Sequence, residues 1–340
     1  MAYRFDYEKF LPQALYEAIT EVRATRPWVV EEEAAARRRR PQLAPDGKLA
    51  ILAADHPARH NSGLGSDPIR LGNRHEFLAR ILRMMVSPEC DGLMATPDVF
   101  DELFIVSHLV RRAGGPSFLD DKVLVGCMQR GGLLNAVWEM EDRFTAYTAY
   151  ELSRLRFDAG KMMIRLDFND PGTAKTLEYC GNAINELRRA NITPFLEPLP
   201  VKKVDGVYKT DTSTEGLLKF LGVAAGLGEG SARTWLKVPY VENFGLAAKA
   251  TTMPMLVLGG DRGGDPYPVL REIEQAMNAA PNARGALVGR FVLYPGDEDP
   301  LAVLGVVNDI VHGRQSLEQA RDNMASRRDS LMDVLANFKL

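Results

Sequence analysis

Apolar residues recur along this chain in two rhythms, and the point where one gives way to the other defines its organisation. From Tyr7 to about Arg26, Phe10, Leu11, Ala14, Leu15, Ala18, Ile19 and Val22 fall at helical spacing, which predicts an amphipathic cap or interface helix ahead of the main fold. From Lys48 onward, short apolar runs alternate with longer helical patterns, the signature of parallel strands joined by crossover helices. The runs are KLAILAAD (48–55), DGLMAT (91–96), KVLVGCM (122–128), KMMIRLDF (161–168), ITPFLEPL (192–199), TWLKVPY (234–240), MPMLVLGG (253–260) and GALVGRFV (285–292). A helix is predicted after each, near 73–86, 98–113, 142–158, 172–190, 213–226, 241–250, 266–279 and 299–312.

The runs show no polar alternation, as expected of strands covered on both faces. Eight such repeats predict an α/β fold of the single (β/α)8 TIM-barrel type, with a doubly wound open sheet as the alternative because periodicity does not prove closure. The tail, 315–338, carries Leu317, Ala320, Met324, Leu331, Val334 and Leu335 in a charged helical frame. The expected division is an N-terminal helical extension (1–47), the barrel (48–313) and a C-terminal helix (314–340). The two end segments have apolar stripes without an evident place in the barrel, which suggests a homo-oligomer.

Composition narrows the partners. With 46% hydrophobic and 26% charged residues, 340 residues suffice for a large core without disulfides. A net charge of -3 with dispersed signs offers no field for nucleic acid or an anionic membrane. The one basic cluster, EEEAAARRRR (31–40), has Glu33 four residues before Arg37, the spacing of a paired, solvated helix surface. Cys90, Cys127 and Cys180 are odd in number and widely spaced, so they read as reduced, buried thiols. The opening MAYRFDYEKFL lacks the design of a signal peptide, and no apolar run approaches the roughly 18 residues of a membrane span. The expected location is the cytoplasm.

In such barrels the reactive groups sit at the C-terminal ends of the strands. Polar residues there are Asp55 and His56 after the first strand, Gln129 and Arg130 after the third, Arg165 and Asp167 in the fourth, Glu197 in the fifth, Lys237 in the sixth, Gly259 and Gly260 after the seventh, and Gly289 and Arg290 in the eighth. Lys237, inside the apolar TWLKVPY, must either find a partner or be kept neutral by desolvation, and a desolvated amine attacks a ketone to form an imine. Glu197 on the neighbouring strand could exchange protons with that imine, or form a structural ion pair with Lys237 or Arg165. Asp55 closes an apolar strand and needs a partner or a task. Gly259, Gly260, Gly289 and Arg290 stand where barrels often bind phosphate, although glycines there also serve tight turns. Arg130 and Arg165 would suit a phosphate or carboxylate. His56, His60 and Asp55 invite a metal, but Pro57 breaks any helix that would align them, and only His75 is left as a third histidine.

This strand-end pattern resembles the class I, lysine-dependent aldolases of the tagatose-bisphosphate, deoxyribose-phosphate and archaeal-type fructose-bisphosphate families over about 48–310. FLEPLP is similar to their strand-five segment with a proton-transfer glutamate, here Glu197. WLKVPY resembles the segment bearing the Schiff-base lysine, here Lys237. GALVGR matches the phosphate-site segment at Gly289 and Arg290, and ILAADH the strand ending in a functional aspartate, Asp55. Deoxyribose-phosphate aldolases carry a second lysine on strand seven, where MLVLGG has none. The archaeal type commonly has a glycine after Asp-His and a tyrosine in strand four, where this chain has Pro57 and IRLDF.

The resemblance implies a carbon–carbon lyase that needs no cofactor or metal and acts on a phosphorylated ketose or keto-sugar acid, such as the 2-deoxy-5-keto-gluconate 6-phosphate cleaved in inositol catabolism. Lys237, Glu197 and Asp55 would be catalytic, and His56, Arg130, Arg165, Asp167, Gly259, Gly260, Gly289 and Arg290 would bind substrate. The alternatives are a metal-dependent lyase or isomerase using Asp55 and His56, and a non-catalytic sugar-phosphate-binding barrel.

Overall fold

The structure is a computed structural model that describes residues 2–260 and 262–335. Eight parallel strands close on themselves: β1 (Leu49–Ala54), β2 (Gly92–Ala95), β3 (Val123–Cys127), β4 (Ala159–Leu166), β5 (Thr193–Val204), then β7 (Trp235–Val238), β8 (Met255–Leu258) and β9 (Ala283–Val288). β9 pairs with β1 at Ile51↔Leu287, and β4 pairs with β5 along its whole length, so no edge is left open. The fold is the (β/α)8 barrel that the alternation predicts. β6 (Val207–Thr210) is not part of that count; it pairs antiparallel with the end of β5 in a hairpin beyond the barrel rim. Asp205 and Gly206 both have positive φ at its tip, the geometry of a two-residue Asp-Gly turn.

The strand pleat sorts the apolar residues into two sets. Leu49, Ile51 and Ala53 of β1, Val123, Val125 and Cys127 of β3, Ala159, Phe195, Leu256 and Leu287 form one cluster inside the barrel. Their neighbours, such as Ala50, Leu52, Leu124 and Met162, pack outward against the helices. Those helices begin with α1 (Tyr7–Phe10), α2 (Gln13–Thr25) and α3 (Val29–Ala36), and continue around the barrel with α4 (Arg74–Met85), α5 (Pro97–Arg112), α6 (Ala149–Arg154), α7 (Gly172–Arg189), α8 (Thr214–Ala225), α9 (Phe244–Ala247), α10 (Tyr267–Ala279), α11 (Arg290–Leu293) and α12 (Pro300–Val311).

Several predicted elements are shorter than their patterns. The helix expected over 7–26 is broken at Leu11–Pro12, because proline disfavours a helical residue before it and brings no N–H; Leu11 is accordingly extended at φ -115°, ψ 90°. The helix near 142–158 shrinks to α6, and 241–250 to α9 plus a single 3-10 turn. The predicted tail helix is two short pieces, α13 (Leu317–Asp322) and α14 (Met324–Arg327); residues 336–340 lie outside the described residues. Leu15, Ile19 and Val22 of α2, and Ala320, Met324 and Leu335 of the tail, are buried in the chain's own core, so their apolar stripes no longer argue for self-association.

The N-terminal end of the barrel is closed by charge. Arg37 is not paired with Glu33, as the spacing suggested: α3 ends at Ala36, and Arg37 leaves the helix in an extended conformation. It is buried, donating to the Lys122 carbonyl at 3.0 Å and to Asp158 at 3.4 Å, while Glu33 holds Arg111 and Ser107 instead. Arg40 reaches Asp91 at 2.7 Å. Leu43 and Ala44, just beyond, pack against the interior cluster from below.

His312, which caps the C-terminus of α12, joins the same floor. Its two ring nitrogens lie 2.6 Å from Asp46 and 3.0 Å from Asp91, an arrangement that needs both nitrogens protonated. The hydrogen bond to Asp91, reinforced by that to Asp46, raises its pKa above the ordinary value. A raised histidine stabilises fully below its unfolded pKa of about 6.5, and that contribution is lost as pH rises through the folded pKa. Urea unfolding of wild type and His312→Gln should therefore differ most in mild acid and converge in alkali; a gap that widens with pH would contradict the pairing.

Candidate functional site

The inward rhythm of each strand, carried one step past the apolar cluster, puts charge at the C-terminal mouth. After Leu49, Ile51 and Ala53 comes Asp55; after Ala159 comes Lys161; after Phe195 comes Glu197; and after Trp235 comes Lys237. Phe195 and Trp235 are register partners across β5 and β7, so Glu197 and Lys237, two residues further on, come level with each other. The four side chains form a chain of ion pairs. Lys237 Nζ is 3.0 Å from Glu197 Oε1, Lys161 Nζ is 2.9 Å from Glu197 Oε2, and Lys161 Nζ is 3.5 Å from Asp55 Oδ2. Arg59 Nη1 approaches Asp55 Oδ2 from above at 3.9 Å. All four linked residues are buried, Lys237 the least so at 6% exposure.

Burial and neighbours treat the two lysines in opposite ways. Desolvation is the largest influence on each and disfavours its charge. At Lys161 two carboxylates, Glu197 and Asp55, more than offset it and hold the ammonium charged. Lys237 has only Glu197 close by and feels repulsion from Lys161, so its pKa stays below the ordinary amine value. Burial alone would raise Glu197, but Lys161 and then Lys237 draw it down to about 2. Asp55 is likewise held ionised against burial, chiefly by Lys161 and Arg59. His56 is pushed down to about 3, by burial above all, and is a neutral imidazole at physiological pH.

A cavity of about 1240 Å³ opens above these groups. Glu197, Lys237, His56, Arg59, Arg165 and Arg290 reach its wall, as do Gly259, Gly260 and Gly289. Gly289 is dictated by space: a Cβ there would lie 2.5 Å from His56 Cε1 and 2.9 Å from the Ala53 carbonyl. Gly260 is dictated by backbone, with φ +68° at the turn after β8. Arg290 is oriented by Asn61 and the Gly260 carbonyl, each at 3.4 Å, and Arg165 is held by the buried Glu139.

Two residues expected at this mouth lie elsewhere. Arg130 lines a separate cavity of about 410 Å³ beside Trp138, because Gly131 and Gly132, both with positive φ, turn the chain away after β3. Asp167 lies past the end of β4, where its side chain accepts from the Asn169 N–H and its backbone bonds Thr173, shaping the entry to α7. Gln129 bridges β3 to β4 through the Met163 N–H. His75, the third histidine of the metal reading, is bonded to the Leu11 carbonyl at 2.7 Å and stacked on Tyr16 outside the barrel. Among the described residues, no group of three or more His, Cys, Asp or Glu side chains is placed to hold a metal ion.

Lys161 is the residue that the sequence reading missed. Ala159 and Gly160 belong to β4, two residues ahead of the predicted start, and this puts Lys161 inside the strand rather than at its edge. The signal was present, since a lysine followed by MMI has the same apolar context that singles out Lys237.

The structure is a (β/α)8 barrel with a lysine–carboxylate centre at the C-terminal mouth of its strands. The chain belongs to the Cgl0159-like family, whose model matches residues 47–308. The crystal structure of Cgl0159 from Corynebacterium glutamicum is similar, with 38% identity and a TM-score of 0.83 over 90% of this chain and 99% of that one. A Schiff base-forming fructose-1,6-bisphosphate aldolase shares the fold at 18% identity and TM-score 0.55, over 83% of this chain and 99% of the other. A fructose-bisphosphate aldolase from Slackia heliotrinireducens does so at 13% and 0.59, over 96% and 97%. In sequence, 99 residues are 30% identical to 2-amino-3,7-dideoxy-D-threo-hept-6-ulosonate synthase 1 of Archaeoglobus fulgidus; they make up 29% of this chain and about a third, 36%, of that protein. Among the described residues, no helix is long and apolar enough to cross a membrane.

Removing Lys161 would leave two buried carboxylates without their shared counter-charge. Lys161→Met should destabilise the fold by about 3–5 kcal/mol in chemical denaturation at neutral pH, and the loss should shrink in acid as Glu197 and Asp55 become protonated. A stability equal to wild type would show that the ion-pair chain is not what holds these charges.

Proposed function

We propose that the protein is a class I aldolase that makes or breaks a carbon–carbon bond through an imine on Lys237, in a phosphorylated ketose or keto-sugar acid. The observation that carries this reading is the unequal treatment of two lysines sharing one carboxylate. Lys161 is fixed as an ammonium, and Lys237 is biased toward the free amine that a nucleophile requires.

The steps follow from the geometry. Lys237 Nζ attacks the substrate ketone, and the carbinolamine loses water to give an iminium. That cation draws in the electron pair released when the bond between its α and β carbons breaks, giving an enamine, as the β-hydroxyl yields its proton and its carbon leaves as an aldehyde; protonation of the enamine and addition of water to the imine then release the second product and free Lys237. Glu197, 3.0 Å from Lys237 Nζ, is placed to relay protons at the carbinolamine and at the hydroxyl. Lys161 keeps Glu197 ionised between turnovers. Asp55 Oδ1 and His56 Nδ1 are buried and have no hydrogen-bond partner among the described residues, and His56, which reaches the cavity wall, is the one placed to meet a substrate hydroxyl. The glycine turns after β8 and β9, with Arg290, would take a phosphate through backbone N–H groups and guanidinium. The likenesses to a Schiff base-forming aldolase in fold and to the ulosonate synthase in part of the sequence support the same class.

Intact-mass spectrometry with borohydride and dihydroxyacetone phosphate tests the reading. A reduced adduct should map to Lys237 and be absent in Lys237→Met, whereas wild type without any adduct across a panel of keto-sugar phosphates would refute it. The capture rate should rise with pH and level off below the ordinary lysine value of 10.5, since burial lowers Lys237. Glu197→Gln should cut turnover by about 10²–10⁴-fold while still permitting slow adduct formation; near-wild-type turnover would remove Glu197 from the chemistry.

A further inference from the structure

α11 is a single turn, Arg290–Leu293, and one helical turn does not hold its own shape, so its neighbours must fix where Arg290 points. The Arg290 guanidinium is met by two other segments: Asn61, on the loop after β1, and the Gly260 carbonyl, on the turn after β8, each at 3.4 Å. The same three segments meet again at Tyr294, the residue that follows α11. The Tyr294 N–H bonds the Arg290 carbonyl at 2.8 Å, and the Tyr294 carbonyl accepts from the Gly264 N–H, further along the β8 turn, at 3.1 Å. Arg70, from the loop after β1, lies 5.0 Å from the centre of its ring, and Arg80 of α4 lies 4.4 Å from it. Glu76 pairs with both guanidiniums, Arg70 at 2.5 Å and Arg80 at 2.8 Å. Arg80 also donates to the Leu293 carbonyl at 2.5 Å, which ties the last residue of α11 to the same cluster.

Tyr294, Glu76 and Arg80 are buried, and the Tyr294 hydroxyl has no hydrogen-bond partner among the described residues. What the residue contributes is therefore its ring. Two guanidiniums share the single charge of Glu76, and the electron-rich ring face takes up part of the excess. We propose that Tyr294 is a positioning residue, which through Arg70, Arg80 and its own backbone aims Arg290 at the phosphate of the substrate. This rests on the turns after β8 and β9, with Arg290, being the phosphate site. Arg290 reaches the cavity wall, whereas Tyr294, Arg70 and Arg80 stand behind it, so their effect falls on binding and not on the bond broken at Lys237.

Calorimetric titration of wild type, Tyr294→Phe, Tyr294→Leu, Arg290→Met and the Tyr294→Leu/Arg290→Met double variant with dihydroxyacetone phosphate tests this. Tyr294→Leu should weaken binding about tenfold, the scale of one charged hydrogen bond lost. Tyr294→Phe keeps the ring and should bind as wild type does. The double variant should bind no worse than Arg290→Met, because no guanidinium is left to aim. Borohydride trapping of unphosphorylated dihydroxyacetone at Lys237 should proceed alike in wild type and Tyr294→Leu, which general damage to the barrel would not allow. If Tyr294→Leu does not fold, Arg70→Met, on the half-buried side of the cluster, should weaken the phosphorylated ligand and spare the other in the same way. The inference alone is overturned if Arg290→Met weakens binding while Tyr294→Leu or its Arg70→Met substitute does not, or if the double variant loses the further tenfold. Wild-type affinity in Arg290→Met would overturn the phosphate site and the inference with it. Weaker binding by Tyr294→Leu, with no adduct at Lys237 in wild type, would discard the imine and leave the role of Tyr294 standing.

Discussion

Two carboxylates and two lysines sit in a row at the top of an apolar barrel, and their charge balance constrains everything around them. Were both lysines charged, the row would be neutral by itself. Arg59, 3.9 Å from Asp55, adds a further positive charge at one end of the row. A carboxylate deprived of such company in this setting would protonate or force the site open. The loop after β1 that carries Arg59 is therefore tied electrostatically to this row of buried charges.

The same arithmetic recurs at the other end. Arg37, Arg39 and Arg40 meet Asp158 and Asp91 below the first layer of the barrel, so the chain enters its own fold through a collar of ion pairs. Between the two charged ends the interior is apolar, from Leu49, Val123 and Phe195 up to Cys127, whose thiol is pushed up to about 12, chiefly by burial. Charge is thus confined to the mouth, where it meets a ligand, and to the floor, where it meets the N-terminal segment.

How much of this was legible in the sequence depends on what each feature requires. Eight apolar runs with helices between them are local patterns, and they led to the barrel. Lys237 and Glu197 stood out because a charge in an apolar strand is costly wherever it occurs. Lys161 carried the same signal but lay at a predicted strand boundary, which periodicity places only to within a few residues. Arg130 was assigned to the mouth by its position after a strand, and two left-handed glycines, visible only in three dimensions, send it elsewhere. The arginine run looked like a solvated surface because helical spacing was assumed past Ala36, where the helix has already ended. The β5–β6 hairpin had a readable Asp-Gly turn, but a run already assigned to the barrel gave no reason to extend it.

That hairpin also bears on how such a protein changes over time. Glu197 is fixed by its pairing with Met163 of β4 and by the Phe195–Leu196 pairing with β7 just before it, whereas the exposed tip at Asp205–Gly206 is paired only within the hairpin. Insertions, deletions or charge reversals at the tip would reshape the far wall while leaving the lysines in register. One continuous strand thus joins a half held on both sides to a half held only by its own hairpin, so the rim can be rebuilt without disturbing the chemistry beneath it.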